Sequence, residues 1–276
     1  MRIKYNFLTL LFIICVLTLK AQQHSLEKLW QTDTVVAIPE SILPDIKKGI
    51  LYVSLIDGGG WDADGKGGVA KLGIRGTDYN SNWITGLNAP KGMGRHGKRL
   101  YVADISEVVV INIKKGKIEK KIPIDSAKGL NDITVSDDGV VYVSDSRTNK
   151  IWRIEKDVPS LYLENMDGVN GLKAINNDLI IASGKSFIKA DAQKKITKIV
   201  ELPQAGDGIE PVGNGDFIVT AWSGYIYYVY PDGRFETLLD SHLEKMNTAD
   251  LGYDPRKRIL FVPTFNAKKI VAYSLK

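Results

Sequence analysis

The chain is expected to fold as an all-β, six-bladed β-propeller whose ring is closed by pairing of its N-terminal and C-terminal strands. Three observations predict this. A short apolar strand ending in a small or polar residue recurs as Leu51-Tyr52-Val53-Ser54, Leu100-Tyr101-Val102-Ala103 and Val141-Tyr142-Val143-Ser144. It returns as Ile180-Ile181-Ala182-Ser183, Phe217-Ile218-Val219-Thr220 and Leu260-Phe261-Val262-Pro263. The starts are 49, 41, 39, 37 and 43 residues apart, a period near 40 that suits a propeller blade. Helical solenoids have similar periods, but these runs are rich in Val, Ile and Tyr and lack helical apolar spacing. Turn pairs such as Asp138-Gly139 and Asp232-Gly233 punctuate them.

Residues 1–21 stand apart from that pattern. Arg2 and Lys4 precede an apolar run from Phe7 to Leu19, and Leu19-Lys20-Ala21 ends in a small residue. This predicts a secretory signal peptide cleaved after Ala21, leaving residues 22–276 as the propeller domain and a periplasmic or secreted protein. The run is too short for a comfortable membrane span, and no second run matches it, so no span is expected after cleavage. Cys15 is the only cysteine. Ile14 before it disfavours lipidation, and the mature chain is left without disulfides or thiolate chemistry.

Composition narrows the function classes. The 44% hydrophobic and 25% charged content excludes wholesale disorder. Without Arg2, Lys4 and Lys20 the balance is 34 basic against 32 acidic residues, which leaves no electrostatic footprint for nucleic acid. A monomer acting on a small molecule is the expectation.

The strands then follow in order. Leu26 to Thr34 precedes the first repeat, and the last repeat, Lys269 to Ser274, stops one strand short of a blade. The two together complete one blade. Blade one carries a glycine-rich insertion at 57–68. Its Gly60-x4-Gly65-Lys66 resembles a P-loop but lacks the Ser or Thr and the following helix, and Asp62-x-Asp64 lacks the later glutamate of a calcium loop. A long hairpin over one propeller face is the better reading. His24, His96 and His242 fall in no metal-ligand spacing, and no Gly-x-Ser-x-Gly elbow is present.

Inner strands of a propeller meet at the central channel. The position ten residues before each recurring strand is Ser41 (beside Glu40), Pro90 (beside Lys91), Asn131, Asn170, Asp207 and Asp250. Oxygen ligands crowded at one axis repel unless a cation or solvent lies among them. An all-oxygen set suits a hard divalent ion: calcium first, with magnesium, manganese or zinc as alternatives.

Pro39-Glu40-Ser41, Gly129-Leu130-Asn131-Asp132, Gly168-Val169-Asn170-Gly171-Leu172 and Gly206-Asp207-Gly208 resemble the metal-site motifs of the gluconolactonase, senescence-marker-protein and luciferin-regenerating-enzyme family of six-bladed propellers. That resemblance implies Glu40, Asn170 and Asp207 as metal ligands and Asp207 as the proton acceptor. It implies Asn131 as a catalytic neighbour that touches water or substrate, with Lys91 and Asp250 added as substrate-binding candidates on the same rim. Two positions depart from the pattern: Glu40-Ser41-Ile42 replaces Glu-Gly-Pro, and Gly129 stands where sugar-lactone hydrolases often place a substrate-binding arginine. Asn88-Ala89-Pro90-Lys91-Gly92 and Leu100-Tyr101-Val102-Ala103-Asp104 are similar to NHL-repeat propellers, many of which only bind partners. The expected function is a metal-dependent hydrolase of a lactone or similar small ester. The alternative is a non-catalytic exported propeller that binds a protein or glycan. N-terminal sequencing of exported protein should read from Gln22; a full-length chain, or a lipid on Cys15, would overturn the export assignment.

Overall fold

Thr220, Ser54 and Ser144 close three of the recurring strands, and their hydroxyls explain why a polar residue ends the repeat. Each accepts a backbone N–H from the neighbouring inner strand, at Gly208, Ser41 and Asp132, all at 2.9 Å. The computed structural model describes residues 24–276, so the expected signal peptide lies outside the described residues. Those residues form six antiparallel sheets of four strands each. The only helical turn among them is a short 3₁₀ segment, Phe265–Ala267, and no helix among them is long and apolar enough to cross a membrane.

Strand β1 spans Leu26–Gln31. Blade one is β2 to β5 (Pro39–Asp45, Ile50–Leu55, Gly67–Gly73, Asn80–Leu87). Blade two is β6 to β9 (Pro90–His96, Arg99–Asp104, Glu107–Asn112, Lys117–Pro123). Blade three is β10 to β13 (Leu130–Val135, Val141–Asp145, Lys150–Glu155, Val158–Leu163). Blade four is β14 to β17 (Val169–Ile175, Asp178–Ser183, Ser186–Ala190, Ile196–Glu201). Blade five is β18 to β21 (Ile209–Gly213, Asp216–Ala221, Tyr225–Val229, Phe235–Asp240). Blade six takes β22 to β24 (Gly252–Asp254, Ile259–Pro263, Ile270–Leu275) from one end of the chain and β1 from the other.

Strand alternation sends apolar side chains to both faces of each sheet, and each face is buried against a neighbouring blade. Six apolar clusters result, one per blade interface. Blades two and three share Tyr101, Val108 and Val110 with Ile133, Val141 and Val143. Blades six and one share Phe261 and Ala272 with Ile42, Val53 and Ala70, flanked by Trp30. These clusters span blade interfaces, so each blade is stabilised by packing against its neighbours.

Closure is made by antiparallel pairing of β1 on β24, from Leu26 opposite Leu275 to Gln31 opposite Val271, with a register shift between Lys28 and Trp30. Thr32 extends the pairing: its N–H donates to the Ile270 carbonyl at 2.9 Å, and its hydroxyl accepts the Ile270 N–H at 3.0 Å. This matches the expected pairing of residues 26–34 with 269–274. Trp30 packs on Phe261 at 6.0 Å between ring centroids and lies across Gly76. Trp30→Ala should cost about 2–3 kcal/mol and lower Tm by about 5–10 °C, and deletion of residues 24–34 should cost far more. Thermal denaturation checks both; an unchanged Tm would show that the seam carries no stability.

Candidate functional site

Four inner strands carry the same β-bulge. Between Pro39 and Ile42, Pro90 and Met93, Leu130 and Ile133, and Val169 and Leu172, the inner strand has one residue more than its partner. A bulge re-aims consecutive side chains. The bulged pairs are Glu40-Ser41, Lys91-Gly92, Asn131-Asp132 and Asn170-Gly171. Backbone bonds of Asp207 N–H to the Thr220 carbonyl and Ala249 N–H to the Pro263 carbonyl put Asp207-Gly208 and Ala249-Asp250 at the matching places in blades five and six.

Two rings follow from this register. The first contains Glu40, Lys91, Asn131, Asn170, Asp207 and Ala249. The second contains Ser41, Gly92, Asp132, Gly171, Gly208 and Asp250. Counting back from the recurring strands put Asp250 and Ser41 in line with Asn131, Asn170 and Asp207; the structure moves both one step further along. The reason is that the loops joining first and second strands differ in length between blades, so a fixed offset drifts by a residue.

Strand ends position the first ring. Asp104 is fully buried and accepts the N–H groups of Asn88 and Ala89, the latter at 2.8 Å, which fixes the approach to Lys91. Asp145 does the same for blade three by accepting the Lys128 N–H at 3.0 Å. Asn131 Nδ2 donates to Ser146 Oγ at 3.0 Å, and that hydroxyl donates to the Val169 carbonyl at 2.6 Å. The Asn131 amide is thereby held with its oxygen free.

Glu40, Lys91, Asn131 and Asp207 are buried, and Asn170 is partly so. Their charges act on one another. Burial pushes Glu40 up to about 7, opposed by Lys91 and assisted by Asp132. Asp207 is pushed well above the usual carboxylate range by burial, then by Glu40 and Asp132, while Lys91 and the Asn170 amide pull it back. Lys91 is lowered by burial, although Glu40 and Asp207 favour its charge. Second-ring carboxylates follow suit: Asp132 is raised to about 6 and Asp250 is raised well above the usual carboxylate range, burial leading in both. Asp250 accepts the Ser41 hydroxyl at 2.5 Å, so it is committed to its neighbour on the axis.

Three buried oxygens in the first ring have no hydrogen-bond partner: Glu40 Oε2, Asn131 Oδ1 and Asn170 Oδ1. They come from three blades and share the ring with Asp207. An unpartnered buried acceptor is costly, and a hard cation is a group that would satisfy several at once. Lys91 does not do so. It forms no ion pair among the described residues, and its ammonium lies 4.3 Å from the centroid of the Trp61 ring.

Below the first ring the channel narrows to a cavity of about 30 Å³, room for about one water, lined by apolar residues such as Ile42, Met93 and Leu172 together with Asp132, Asp250 and the Lys173–Glu210 ion pair. His96 is exposed at the far end of β6, away from the first ring. A wider cleft of about 470 Å³ between blades three and four has no unpaired titratable cluster.

Trp61, Arg147, Ser146 and Asp132 were not singled out as site residues. Trp61 sits in the glycine-rich β3–β4 connection, and Arg147 in the β11–β12 connection, both at the end of the sheet where the inner strands begin. Only topology reveals that these two loops overhang the same ring.

No family model matches the chain, and no curated protein sequence is detectably similar to it. Solved structures do resemble it. A protein provisionally assigned as a gluconolactonase matches with a TM-score of 0.68 and 12% identity, over 93% of each chain. A catalytically inactive virginiamycin B lyase from Staphylococcus aureus, crystallised with quinupristin, gives 0.64 and 15%, over 92% of this chain and 100% of that one. A chain of a nidogen–laminin complex gives 0.60 and 12%, over 70% of this chain and 76% of that one. At these identities the likeness establishes the propeller fold.

Glu40 generates a pH signature. In the folded chain it keeps its proton up to about pH 7, whereas unfolded it loses it near 4.5. Between those values the native state binds the extra proton, so this group's contribution to stability falls as pH rises. In chelator, the Tm of the wild type minus that of Glu40→Gln should decrease from pH 5 to pH 8. A difference that grows with pH would show that Glu40 is paired and ionised.

Proposed function

We propose that this protein is a divalent-metal-dependent hydrolase of a lactone or similar small ester. The observation that carries the reading is the set of partnerless oxygens of Glu40, Asn131 and Asn170 gathered with Asp207 at one channel mouth. Glu40, Asn170 and Asp207 would hold the ion. When bound, it would supply polarisation of the ester carbonyl.

The chain's own groups would do the rest. Asp207, its carboxyl pushed by burial well above the usual carboxylate range, suits a proton acceptor from an attacking water. Asn131, its amide locked by Ser146, offers a fixed acceptor to orient that water or a substrate hydroxyl. Lys91 lies on the same ring and can meet negative charge developing on the substrate oxygen. Asp250, engaged with Ser41 in the second ring, would support the ring beside the substrate.

The fold neighbours include a lyase whose inactive form carries an alanine in place of a histidine. The first ring here contains no histidine, so a carboxylate, Asp207, is the group available to take the proton. Export to the periplasm or exterior, a monomeric state and the choice of calcium over magnesium, manganese or zinc belong to the same proposal.

The test is hydrolysis of a panel from aldonolactones to simple aliphatic lactones, with and without chelator, alongside Tm with added calcium or manganese. Metal should raise Tm of the stripped protein. Asp207→Asn should remove most of that gain and cut turnover by at least about 100-fold. Asn131→Ala should keep the gain and lower kcat. Metal binding without turnover of any lactone would favour the binding module, and turnover indifferent to chelator and to Asp207→Asn would overturn the mechanism.

A further inference from the structure

We propose that Trp61, Lys91 and Arg147 form an anion subsite at the mouth of this site, selecting esters that carry a carboxylate beside the scissile bond. The proposal rests on the hydrolase reading for the word ester, and on the following geometry for the anion.

Lys91 is only 4% exposed, yet neither its ammonium nor the Arg147 guanidinium forms an ion pair among the described residues. Both lie against one aromatic ring: Lys91 Nζ is 4.3 Å and Arg147 Cζ 4.8 Å from the Trp61 centroid. Cations gain from the face of an indole, and the contact can hold two of them close. Their mutual repulsion is real, since the charge of Arg147 acts to lower Lys91. Like charges kept together without a partner are a ready receptor for an anion.

Arg147 is placed by design of the chain around it. Its N–H donates to Asp145 Oδ1 at 3.2 Å, which fixes the loop. Its stem crosses Gly129, where an added Cβ would lie 2.6 Å from Cγ and 2.9 Å from Cβ of the arginine. Any side chain at 129 would evict it. The arginine that Gly129 does not supply has a counterpart in Arg147, whose stem crosses that position from the next loop and carries its guanidinium to Trp61. The planar guanidinium fork matches a carboxylate, and Lys91 adds a second charged donor. No helix N-terminus lies here among the described residues.

Charge balance supports the same conclusion. Glu40 and Asp207 are the carboxylates nearest Lys91. If they are engaged by a divalent ion, the two cations above them are left to the substrate.

The experiment compares 5-oxotetrahydrofuran-2-carboxylate with its methyl ester and with γ-butyrolactone. It also measures binding of the unreactive tetrahydrofuran-2-carboxylate and its carboxamide by calorimetry at low and high salt. The carboxylates should be preferred, with an advantage that shrinks in salt. Arg147→Ala, at an exposed position, should raise KM for the carboxylate lactone by about 10–100-fold and its kcat by little, erasing the preference over the methyl ester. Arg147→Lys should restore part of it. Carboxylate binding that is lost in Arg147→Ala sustains the subsite even if no lactone is hydrolysed, in which case only the hydrolase reading fails. Equal binding of carboxylate and carboxamide, no binding of either, or a preference untouched by Arg147→Ala would overturn the subsite, and lactone turnover would then still stand.

Discussion

Six inner strands converge on one axis, and the closeness of that approach governs the rest of the molecule. At Gly171 a Cβ would run into the Asp207 carbonyl oxygen, and at Gly208 it would lie 2.6 Å from an Asp250 carboxylate oxygen. Strands this near cannot all present side chains inward at every level. Bulges in four inner strands ease the conflict by adding one residue to each, and one ring carries polar groups at five of its six places while the next carries glycine at three. The same crowding withdraws carboxylates from water and sets them against one another, which lifts Glu40, Asp132, Asp207 and Asp250 together. Site chemistry is thus a by-product of propeller geometry that the chain has filled with useful atoms.

The fold was legible because its signal is redundant. Six strands with a common ending and a near-constant spacing point to one architecture, and the deficit of one strand at the C-terminal side pointed to the seam with β1. Asn131, Asn170 and Asp207 were legible for the same reason, as recurrences at a shared offset, and Glu40 and Lys91 as the neighbours of Ser41 and Pro90 at that offset. Asp250 was drawn into that set by the offset and belongs one level deeper, because an offset measured along the chain ignores loop length. Trp61 and Arg147 were illegible. Neither repeats between blades, and each lies in a loop whose partner is far away in sequence, so only the closed ring brings them over Lys91.

Two features of the mouth pull in different directions. The partnerless oxygens call for positive charge, and the unpaired Lys91 and Arg147 call for negative charge. A single ligand of either sign would leave half the site unsatisfied. A metal ion together with an anionic ester satisfies both, which is why the hydrolase reading is a better account of the residues than a surface for a neutral glycan. Similarity of fold to lyases, to a nidogen–laminin component and to a gluconolactonase cannot make that choice, because one propeller hosts unrelated chemistries.

The seam in blade six has a consequence for the order of events during synthesis. Strand β1 is among the first parts of the described chain to be made, but its partner β24 is the last. Blades one to five can take shape as they emerge, yet the interface between blades six and one cannot exist until Ile270–Leu275 is available. Translation at about 5–20 residues per second leaves the early strand unpaired for many seconds. During that interval β1 is an open edge, its pairing groups unmatched. Commitment to the finished ring waits on β24, so a chain interrupted before Ile270 lacks the seam and the blade interface it closes.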